Sequence, residues 1–298
     1  MTTPALPLRG TWTALVTPFS DSGDVDFDAL DRLVDDQIAG GVNVLVPCGT
    51  TGESPTLSHV EHDSVVARTV ERSAGRVPVV AGAGSNSTRE AARLVQSAAD
   101  SGAAGVLVVC PYYNRPSDRM LFAHFASLAG ESALPIVLYN VPGRTGVNLR
   151  PETVARLAAQ FDNVVAVKEA AGSVDQVARI RELSEIPILS GDDALTLPMT
   201  TVGATGVISV ASNVIPGRVC AVIDAALSGE TATAARLNSA LMPLFRALFC
   251  EPNPVPVKAA LALLGKGNGR VRRPLLAALP ETTERLRALL VALDELPA

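Results

Sequence analysis

Short, continuous apolar runs alternate with amphipathic segments along most of the chain. After a lead that we expect to be disordered, eight such runs occur, at residues 12–19, 42–47, 77–81, 105–110, 136–139, 164–168, 186–189 and 207–210. Each is followed by a segment with apolar residues at helical spacing, at residues 28–39, 58–73, 87–99, 120–129, 151–160, 174–183, 194–201 and 217–227. Runs that are apolar throughout are typical of parallel strands buried on both faces. The pattern therefore predicts eight βα units.

Eight βα units within the first 228 residues favour a TIM (β/α)8 barrel over an open, doubly wound sheet. No GxGxxG motif follows the first run, which disfavours a dinucleotide-binding fold. Three further helical segments, at residues 232–248, 255–264 and 281–293, come without another strand pattern. We therefore expect an α/β protein with a barrel domain at residues 1–228 and a C-terminal all-helical appendage at residues 229–298.

Composition narrows the class of protein further. Hydrophobic residues make up 48% of the chain, and no apolar run reaches the roughly 18 residues of a membrane-spanning helix. The first five residues lack the features of a signal peptide, and the four cysteines form no CxxC pair. The net charge of −5 disfavours nucleic-acid binding, and the basic stretch at residues 266–273 favours a solvated loop over a phosphate site. We expect a cytoplasmic protein that binds neither membrane nor nucleic acid.

Polar residues follow several predicted strands, at the end where barrel enzymes carry their active sites. The second strand leads into the sequence GTTGES at residues 49–54, whose hydroxyls and backbone N–H groups suit a carboxylate. All three tyrosines belong to this set, with Tyr112 and Tyr113 after the fourth strand and Tyr139 at the end of the fifth. Their clustering favours a function at this rim, although tyrosines packed against a partner subunit would give the same pattern.

Lys168 ends the sixth predicted strand and is one of only three lysines, against 22 arginines. Burial disfavours the charged ammonium form of a lysine and so favours an amine that can form a Schiff base. The alternative is a strand-end lysine whose amine reaches solvent. Arg144 lies in the Pro/Gly-rich loop after Tyr139, where it could bind a carboxylate with two hydrogen bonds or lie free on the surface.

Taken together, these residues resemble the dihydrodipicolinate synthase family of pyruvate-dependent class I aldolases over essentially the full chain. The segments that carry the resemblance are residues 49–54, 111–116, 139–145 and 251–254, together with Lys168. The resemblance implies a homo-oligomer, a tetramer built from tight dimers. It implies no cofactor and no metal, because the chemistry runs through a covalent imine between the lysine and pyruvate.

The resemblance also implies roles in catalysis. Lys168 would form the Schiff base with pyruvate, and the protonated imine would act as an electron sink that makes the pyruvate methyl group acidic. Tyr139, Thr50 and Tyr113 would form a proton relay, with Tyr113 reaching in from a neighbouring subunit. A tyrosine hydroxyl alone is a poor base at neutral pH, so a chain of hydroxyls that shares the proton suits this chemistry.

Four further positions would hold the substrates. By the same resemblance, Thr51 would bind the pyruvate carboxylate, and Arg144 would bind the carboxylate of aspartate-β-semialdehyde. Gly191 and Ile208 would line the lysine. Two anionic substrates are consistent with hydroxyls and an arginine, and with no carboxylate directly at the reaction centre.

A second set of residues matches the types that bind lysine at the subunit interface in lysine-sensitive members of the family. These residues are Ser54, His59, His62, Asn86, Glu90 and Tyr112. The resemblance therefore implies a site for lysine as a feedback inhibitor. The spacing of the two histidines is also consistent with a solvated helix N-terminus and, less favoured, with a zinc site.

The implied reaction is the condensation of pyruvate with aspartate-β-semialdehyde to 4-hydroxy-tetrahydrodipicolinate, in lysine and diaminopimelate biosynthesis. A sister aldolase acting on a 2-keto-3-deoxy sugar acid or on N-acetylneuraminate would share the imine lysine but would have less use for Arg144. A catalytically silent, lysine-responsive barrel would have no physical reason to retain Lys168, Tyr139 and Thr50 together. We favour the first of these three interpretations.

Overall fold

Eight parallel strands form the centre of the molecule in the computed structural model, which describes residues 6–297. The strands are β1 (Gly10–Ala14), β2 (Val44–Val46), β3 (Val80–Gly82), β4 (Gly105–Val109), β5 (Ile136–Asn140), β6 (Val164–Glu169), β7 (Ile188–Ser190) and β8 (Gly206–Ser209). Their order in the sheet is β2-β1-β8-β7-β6-β5-β4-β3, and a parallel bridge between Leu45 and Val79 joins its two ends. The sheet is therefore a closed barrel, as predicted. The lead at residues 1–5, expected to be disordered, lies outside the described residues.

Helices cover the outside of the barrel, and further helices form the C-terminal appendage. They are α1 (Phe27–Ala39), α2 (His59–Ser73), α3 (Thr88–Asp100), α4 (Asp118–Glu131), α5 (Pro142–Thr145), α6 (Pro151–Gln160), α7 (Val174–Leu183), α8 (Thr196–Thr201), α9 (Pro216–Leu227), α10 (Thr231–Ala247), α11 (Val255–Leu263) and α12 (Pro280–Ala292). Local sequence fixes where several of them begin, because the side chains of Asp26, Ser58, Ser87 and Ser173 each accept a hydrogen bond from a first-turn backbone N–H.

The strand side chains are divided between two apolar cores. One set fills the inside of the barrel, and the other packs between the barrel and the helices. Neighbouring residues of a strand point to opposite faces of the sheet, so Ala166 lies inside and Val167 outside. By the same alternation Lys168 lies on the inner face of β6 and Glu169 on its outer face. The predicted buried lysine is thus placed inside the barrel, at the C-terminal end of its strand.

The first strand differs from the prediction. It is Gly10–Ala14, whereas the apolar run predicted a strand at residues 12–19. After β1 the Leu15 N–H still donates to the Val46 carbonyl oxygen of β2, and the apolar residues that follow bond elsewhere. The Val16 N–H donates to Asn213 Oδ1 (3.1 Å), and the Thr17 hydroxyl donates to a carbonyl of the loop after β2 (2.7 Å). These contacts bury the segment outside the ladder, so its apolar character does not mark a strand.

The appendage consists of α10, α11 and α12, with α10 packed on α9 of the barrel. The expected boundary at residues 228/229 falls in the turn between α9 and α10, and the division into two domains stays a prediction. The expectation of a solvated loop at residues 266–273 is wrong for Arg272, whose guanidinium bonds to Glu61 and to the Gly23 carbonyl. Within residues 6–297, no helix is long and apolar enough to cross a membrane.

Candidate active site

Lys168 and Tyr139 lie side by side on the inner face of the barrel. They are register partners on β6 and β5, and the Lys168 Nζ atom is 4.3 Å from the centroid of the Tyr139 ring. Lys168 is only 5% exposed, so the alternative of an amine that reaches freely into solvent does not hold. The other two lysines pair with carboxylates, whereas within residues 6–297 no carboxylate pairs with Lys168.

Gly191 contacts the side chain of Lys168, and Ile208 belongs to the inner core of the barrel. A Cβ atom on Gly191 would lie 2.9 Å from Lys168 Cε and 2.5 Å from Ala170 Cβ. The lysine side chain therefore packs directly against the backbone of Gly191, and a larger residue there would collide with it. Ile208 is fully buried in the inner core that also contains Tyr139.

A buried carboxylate lies immediately behind this pair. Glu169 follows Lys168 but faces the outer side of the barrel, where it accepts hydrogen bonds from Asn140 Nδ2 (3.0 Å) and Gln176 Nε2 (2.8 Å). Burial raises the pKa of the Glu169 carboxyl, and these two hydrogen bonds oppose the rise. Because Asn140 follows Tyr139 just as Glu169 follows Lys168, the contact holds the ends of β5 and β6 in register. It keeps the carboxylate away from the amine.

The two threonines of the GTTGES loop have different surroundings. Thr50 lines a cavity at the rim of the barrel, while Thr51 is buried (3% exposed). Thr51 Oγ1 accepts a hydrogen bond from Asn253 Nδ2 of the appendage at 3.0 Å. Glu53, in the same loop, has a positive φ of 55°, so the loop turns sharply before it leads into α2.

Arg144 lies in the one-turn helix α5, where the sequence predicted a loop. A helix of four residues is too short to produce an apolar periodicity, which is why the pattern missed it. The side chain extends towards the appendage, and its Nη2 donates to the carbonyl oxygen of Asn253 at 3.4 Å. Arg144 therefore lies beside the cavity with its side chain still exposed, and its role as a substrate ligand stays a prediction.

A cavity of about 480 Å³ lies at this rim. Its walls include Thr50 and Arg144, together with five of the six residues predicted for lysine: Ser54, His59, His62, Glu90 and Tyr112. Asn86, the sixth, does not line it, and neither do Lys168, Tyr139 or Tyr113. The cavity therefore connects the predicted lysine site with part of the predicted substrate site, while the imine lysine lies outside its lining.

The two histidines of α2 differ in their surroundings. His59 is exposed at the start of the helix, and its Nε2 lies 2.8 Å from Glu90 Oε1. His62 is buried, with Nε2 at 2.9 Å from the carbonyl oxygen of Gly82, and burial lowers the pKa of His62. A solvated helix N-terminus therefore describes His59 but not His62. Within residues 6–297, no group of three or more His, Cys, Asp or Glu residues is arranged to hold a metal ion.

The loop after β4 presents Tyr113 to solvent. Tyr113 is 90% exposed and has a φ of 72°, and the Asn114 N–H donates to the carbonyl oxygen of Tyr112 at 2.9 Å. Asn114 Nδ2 also donates to the carbonyl oxygen of Asn86 at 2.8 Å. No hydrogen bond joins the hydroxyls of the three relay residues among residues 6–297. The relay therefore stays a prediction.

A model of the dihydrodipicolinate synthetase family matches residues 7–293 of the chain. The chain belongs to this family. A 4-hydroxy-tetrahydrodipicolinate synthase from Methanothrix thermoacetophila is 50% identical over 291 residues, which is 97% of this chain and 98% of that protein. Another, from Sorangium cellulosum, is 53% identical over 284 residues, 94% of each chain. The predicted resemblance and the prediction of a lyase are confirmed, and these relatives do not favour a sugar-acid aldolase.

Solved structures of family members have the same fold. A dihydrodipicolinate synthase from Cyanidioschyzon merolae, with lysine bound, superposes with a TM-score of 0.94 at 41% identity, covering 97% of this chain and 99% of that one. One from Acinetobacter baumannii, complexed with pyruvate, gives a TM-score of 0.95 at 39% identity, covering 97% and 100%. The predicted TIM barrel with its helical appendage is confirmed.

Two residues of this dihydrodipicolinate synthetase family member have contacts that the sequence did not predict. Glu169 supports the ends of β5 and β6, and Asn253 contacts both Thr51 and Arg144. The order of strands along the chain makes β5 and β6 neighbours, so the pairing of Asn140 with Glu169 was accessible from the pattern. The contact between Asn253 and Thr51 joins residues 202 positions apart, and no local signal indicates it.

Proposed function

We propose that the chain condenses pyruvate with aspartate-β-semialdehyde to give 4-hydroxy-tetrahydrodipicolinate, with Lys168 forming the imine. The observation that carries this proposal is a buried lysine on the inner barrel face, without a carboxylate partner among residues 6–297, beside a tyrosine and against a glycine. A carboxylate in contact would stabilise the ammonium form and remove the nucleophile. Membership of the family supports the choice of pyruvate as the first substrate.

The reaction follows from the imine. The Lys168 amine attacks the keto carbon of pyruvate, and the carbonyl oxygen leaves as water once it has been protonated. The methyl group of the protonated imine then loses a proton, which gives an enamine that attacks the aldehyde carbon of the second substrate, whose oxygen takes up a proton to become the hydroxyl group. The amino group of that substrate finally attacks the imine carbon, which closes the ring and displaces the Lys168 amine. Tyr139 is positioned beside Lys168 to exchange protons in these steps, and Thr50 and Tyr113 complete the proposed route to solvent.

Both substrates carry carboxylates, and the site offers matching donors. Thr51 provides a buried hydroxyl for the pyruvate carboxylate, and Arg144 provides a guanidinium at the edge of the cavity for the carboxylate of the semialdehyde. Three carboxylates near the ends of β6 and β7 already accept hydrogen bonds: Glu169 from Asn140, Asp192 from two backbone N–H groups, and Asp193 from Ser209 and two backbone N–H groups. The donors thus remain available to anionic substrates.

We further propose that lysine is a feedback ligand of the cavity and that the chain forms a tetramer from tight dimers. The cavity walls support the lysine site, because they include Ser54, His59, His62, Glu90 and Tyr112. His59 pairs with Glu90 in the structure, so the ammonium group of a bound lysine would replace His59 as the partner of the Glu90 carboxylate. The exposed Tyr113 supports a neighbouring subunit at this rim.

A coupled assay tests the reaction. It contains pyruvate, aspartate-β-semialdehyde, NADPH and excess downstream reductase, and we expect NADPH consumption only when both substrates are present. Activity with a 2-keto-3-deoxy sugar acid, together with none on the semialdehyde, would transfer the function to a sister aldolase. Borohydride reduction with pyruvate, followed by mass analysis, provides the second readout, because a silent barrel would gain no mass on Lys168.

The same assay tests the lysine site. We expect lysine to inhibit the wild-type enzyme and Glu90→Gln to weaken that inhibition, since the amide cannot balance the ammonium charge. Glu71→Gln, an exposed carboxylate on α2 that pairs with Arg68, is the matched control. Inhibition of equal strength in all three proteins would remove Glu90 from the proposal.

A further inference from the structure

We propose that Asn253 is a positioning residue that fixes the direction of the Thr51 hydroxyl, so that Thr51 donates its proton to the substrate carboxylate. The inference rests on the proposed function, in which Thr51 binds pyruvate. Its structural basis is the contact of Asn253 Nδ2 with Thr51 Oγ1 at 3.0 Å. Both residues are buried, with Thr51 at 3% and Asn253 at 7% exposure.

The direction of this hydrogen bond matters because a hydroxyl has a single proton. An amide nitrogen only donates, so Thr51 must accept from Asn253, and its own proton stays free to be donated elsewhere. Within residues 6–297 the Thr51 hydroxyl donates to no protein acceptor. An ionised carboxylate accepts hydrogen bonds and donates none. Asn253 therefore presents Thr51 as a donor for the kind of group that pyruvate carries.

The second atom of the amide has no protein partner. Asn253 Oδ1 is buried and accepts no hydrogen bond among the described residues. With the amide reversed, Oδ1 would accept the Thr51 proton, and that proton would no longer be free for a substrate. The effect of Asn253→Asp therefore also tests which way the amide faces.

Asn253 contacts the two proposed substrate ligands through different groups. Its side chain bonds to Thr51, and its backbone carbonyl accepts from Arg144 Nη2 at 3.4 Å. A change of side chain removes the first contact and keeps the second. The inference therefore predicts that variants of Asn253 affect the pyruvate site and spare the semialdehyde site.

Asn253→Asp is the most informative variant, because a carboxylate at this position accepts the Thr51 proton. We expect the pyruvate concentration for half-maximal borohydride trapping on Lys168 to rise about 10- to 100-fold, as for the loss of one charge-assisted hydrogen bond. KM for the semialdehyde should stay unchanged. Asn253→Ala should raise the pyruvate requirement less, since Thr51 keeps its proton and loses only its fixed direction.

Asn268→Asp is the control, because it makes the same amide-to-acid change in an exposed part of the appendage. The inference would be overturned if Asn253→Asp kept the wild-type dependence on pyruvate. It would also be overturned if Asn253→Asp and Asn253→Ala raised the pyruvate requirement equally, in proportion to their losses of thermal stability. Should Asn253→Asp not fold, a double-mutant cycle of Thr51→Val with Asn253→Ala takes its place, and additive effects would overturn the inference. A wild-type enzyme that traps no pyruvate would instead refute the proposed function.

Discussion

At the scale of single residues, Lys168 is distinguished by what does not contact it. The other two lysines pair with carboxylates, whereas within residues 6–297 Lys168 has Tyr139 and the Gly191 backbone as its neighbours. An amine that attacks a carbonyl carbon needs its lone pair. We expect Lys168→Ala to fold normally, to trap no pyruvate and to lose activity by about 10⁴-fold or more.

Lys266→Ala provides the matched control, because Lys266 is partly exposed and pairs with Asp36 at 2.9 Å. It should keep wild-type turnover and wild-type trapping. With only three lysines in the chain, peptide mass analysis assigns any trapped pyruvate to one of them. Label on Lys258, or near-normal turnover by Lys168→Ala, would contradict the assignment.

Arg144 permits a test that separates the two substrates. Its guanidinium lines the cavity, whose walls do not include Lys168, so Arg144→Ala should leave borohydride trapping of pyruvate unchanged. The KM for aspartate-β-semialdehyde should rise about 10- to 100-fold, as for the loss of a charged hydrogen-bond partner. Arg150→Ala, which removes an exposed arginine paired with Asp118, is the control. If Arg144→Ala weakened pyruvate trapping as much as the use of the semialdehyde, the role of Arg144 would be structural instead.

At the scale of elements, α3 and α4 meet at a buried histidine. His124 Nδ1 lies 2.9 Å from Thr88 Oγ1, and its Nε2 is buried without a partner among the described residues. Burial lowers the pKa of His124 to about 4, from an ordinary value of 6.5. The unfolded chain therefore binds a proton at this residue at a higher pH than the folded chain does. The free energy of unfolding should fall as the pH decreases from 6.5 towards 4.

His124→Asn tests this dependence, because asparagine keeps a polar group near the position of Nδ1 and does not titrate. Urea unfolding at pH 7 and pH 5 should show wild type losing about 2 kcal/mol more than the variant over this interval. His62, whose pKa is also lowered by burial, is present in both proteins and cancels in the comparison. Equal losses in the two proteins would show that His124 does not carry the effect.

The strands could be predicted from the sequence, because a parallel strand that is buried on both faces consists mainly of apolar residues. The apolar runs located all eight strands. The error at β1 has the same cause, since residues 15–19 are as apolar as the strand but are buried by contacts with the loop after β2 and with Asn213. Local hydrophobicity reports burial, and it does not report which backbone groups pair.

The site was predictable to the extent that it lies at strand ends. Lys168, Tyr139 and the GTTGES loop follow directly from the rule that barrel enzymes act at the C-terminal ends of their strands. Asn253 was not predictable, because it is in the appendage and its contact with Thr51 spans 202 positions. Such a contact depends on how two parts of the chain dock, and neither periodicity nor capping signals encode that docking.

At the scale of the whole molecule, a buried ion pair joins the appendage to the barrel. Lys258 Nζ lies 2.5 Å from Glu53 Oε1, with side chains 4% and 1% exposed, and 4.0 Å from the centroid of the Phe19 ring. The Arg272 backbone N–H also donates to Glu53, at 2.9 Å. Burial lowers the pKa of Lys258 to about 8, and the Glu53 carboxylate opposes this shift. The appendage thus supports the loop that carries Thr51.

Lys258→Met should therefore destabilise the protein strongly, because it leaves the Glu53 carboxylate buried without its cation. We expect a loss of about 3–5 kcal/mol in the free energy of unfolding, measured with denaturant. The double variant Glu53→Gln/Lys258→Met should recover most of that loss, since no unpaired charge remains. Lys266→Met is the control for the substitution itself. A double variant as unstable as Lys258→Met would show that shape and not charge determines the cost.

Tyr113 is the residue that we expect to complete the site of a neighbouring subunit. It is 90% exposed, it does not line the cavity of its own chain, and its φ of 72° is a backbone conformation that side chains rarely adopt. A strained backbone that holds an aromatic side chain out in solvent is what we expect of a residue that enters another surface. We expect that surface to be the active site of a neighbouring subunit.

Two inactive variants test this directly. Tyr113→Ala keeps Lys168 but lacks the tyrosine, and Lys168→Ala keeps the tyrosine but lacks the amine. If Tyr113 acts across the interface, mixing the two under conditions that exchange subunits should restore activity, because in a mixed dimer the intact Lys168 of one subunit faces the intact Tyr113 of the other. If Tyr113 acts within its own chain, every site in the mixture lacks one of the two groups, and no activity returns. Size-exclusion chromatography of differently tagged subunits shows whether the subunits have exchanged. If they have exchanged and the mixture is still inactive, Tyr113 acts in the site of its own chain.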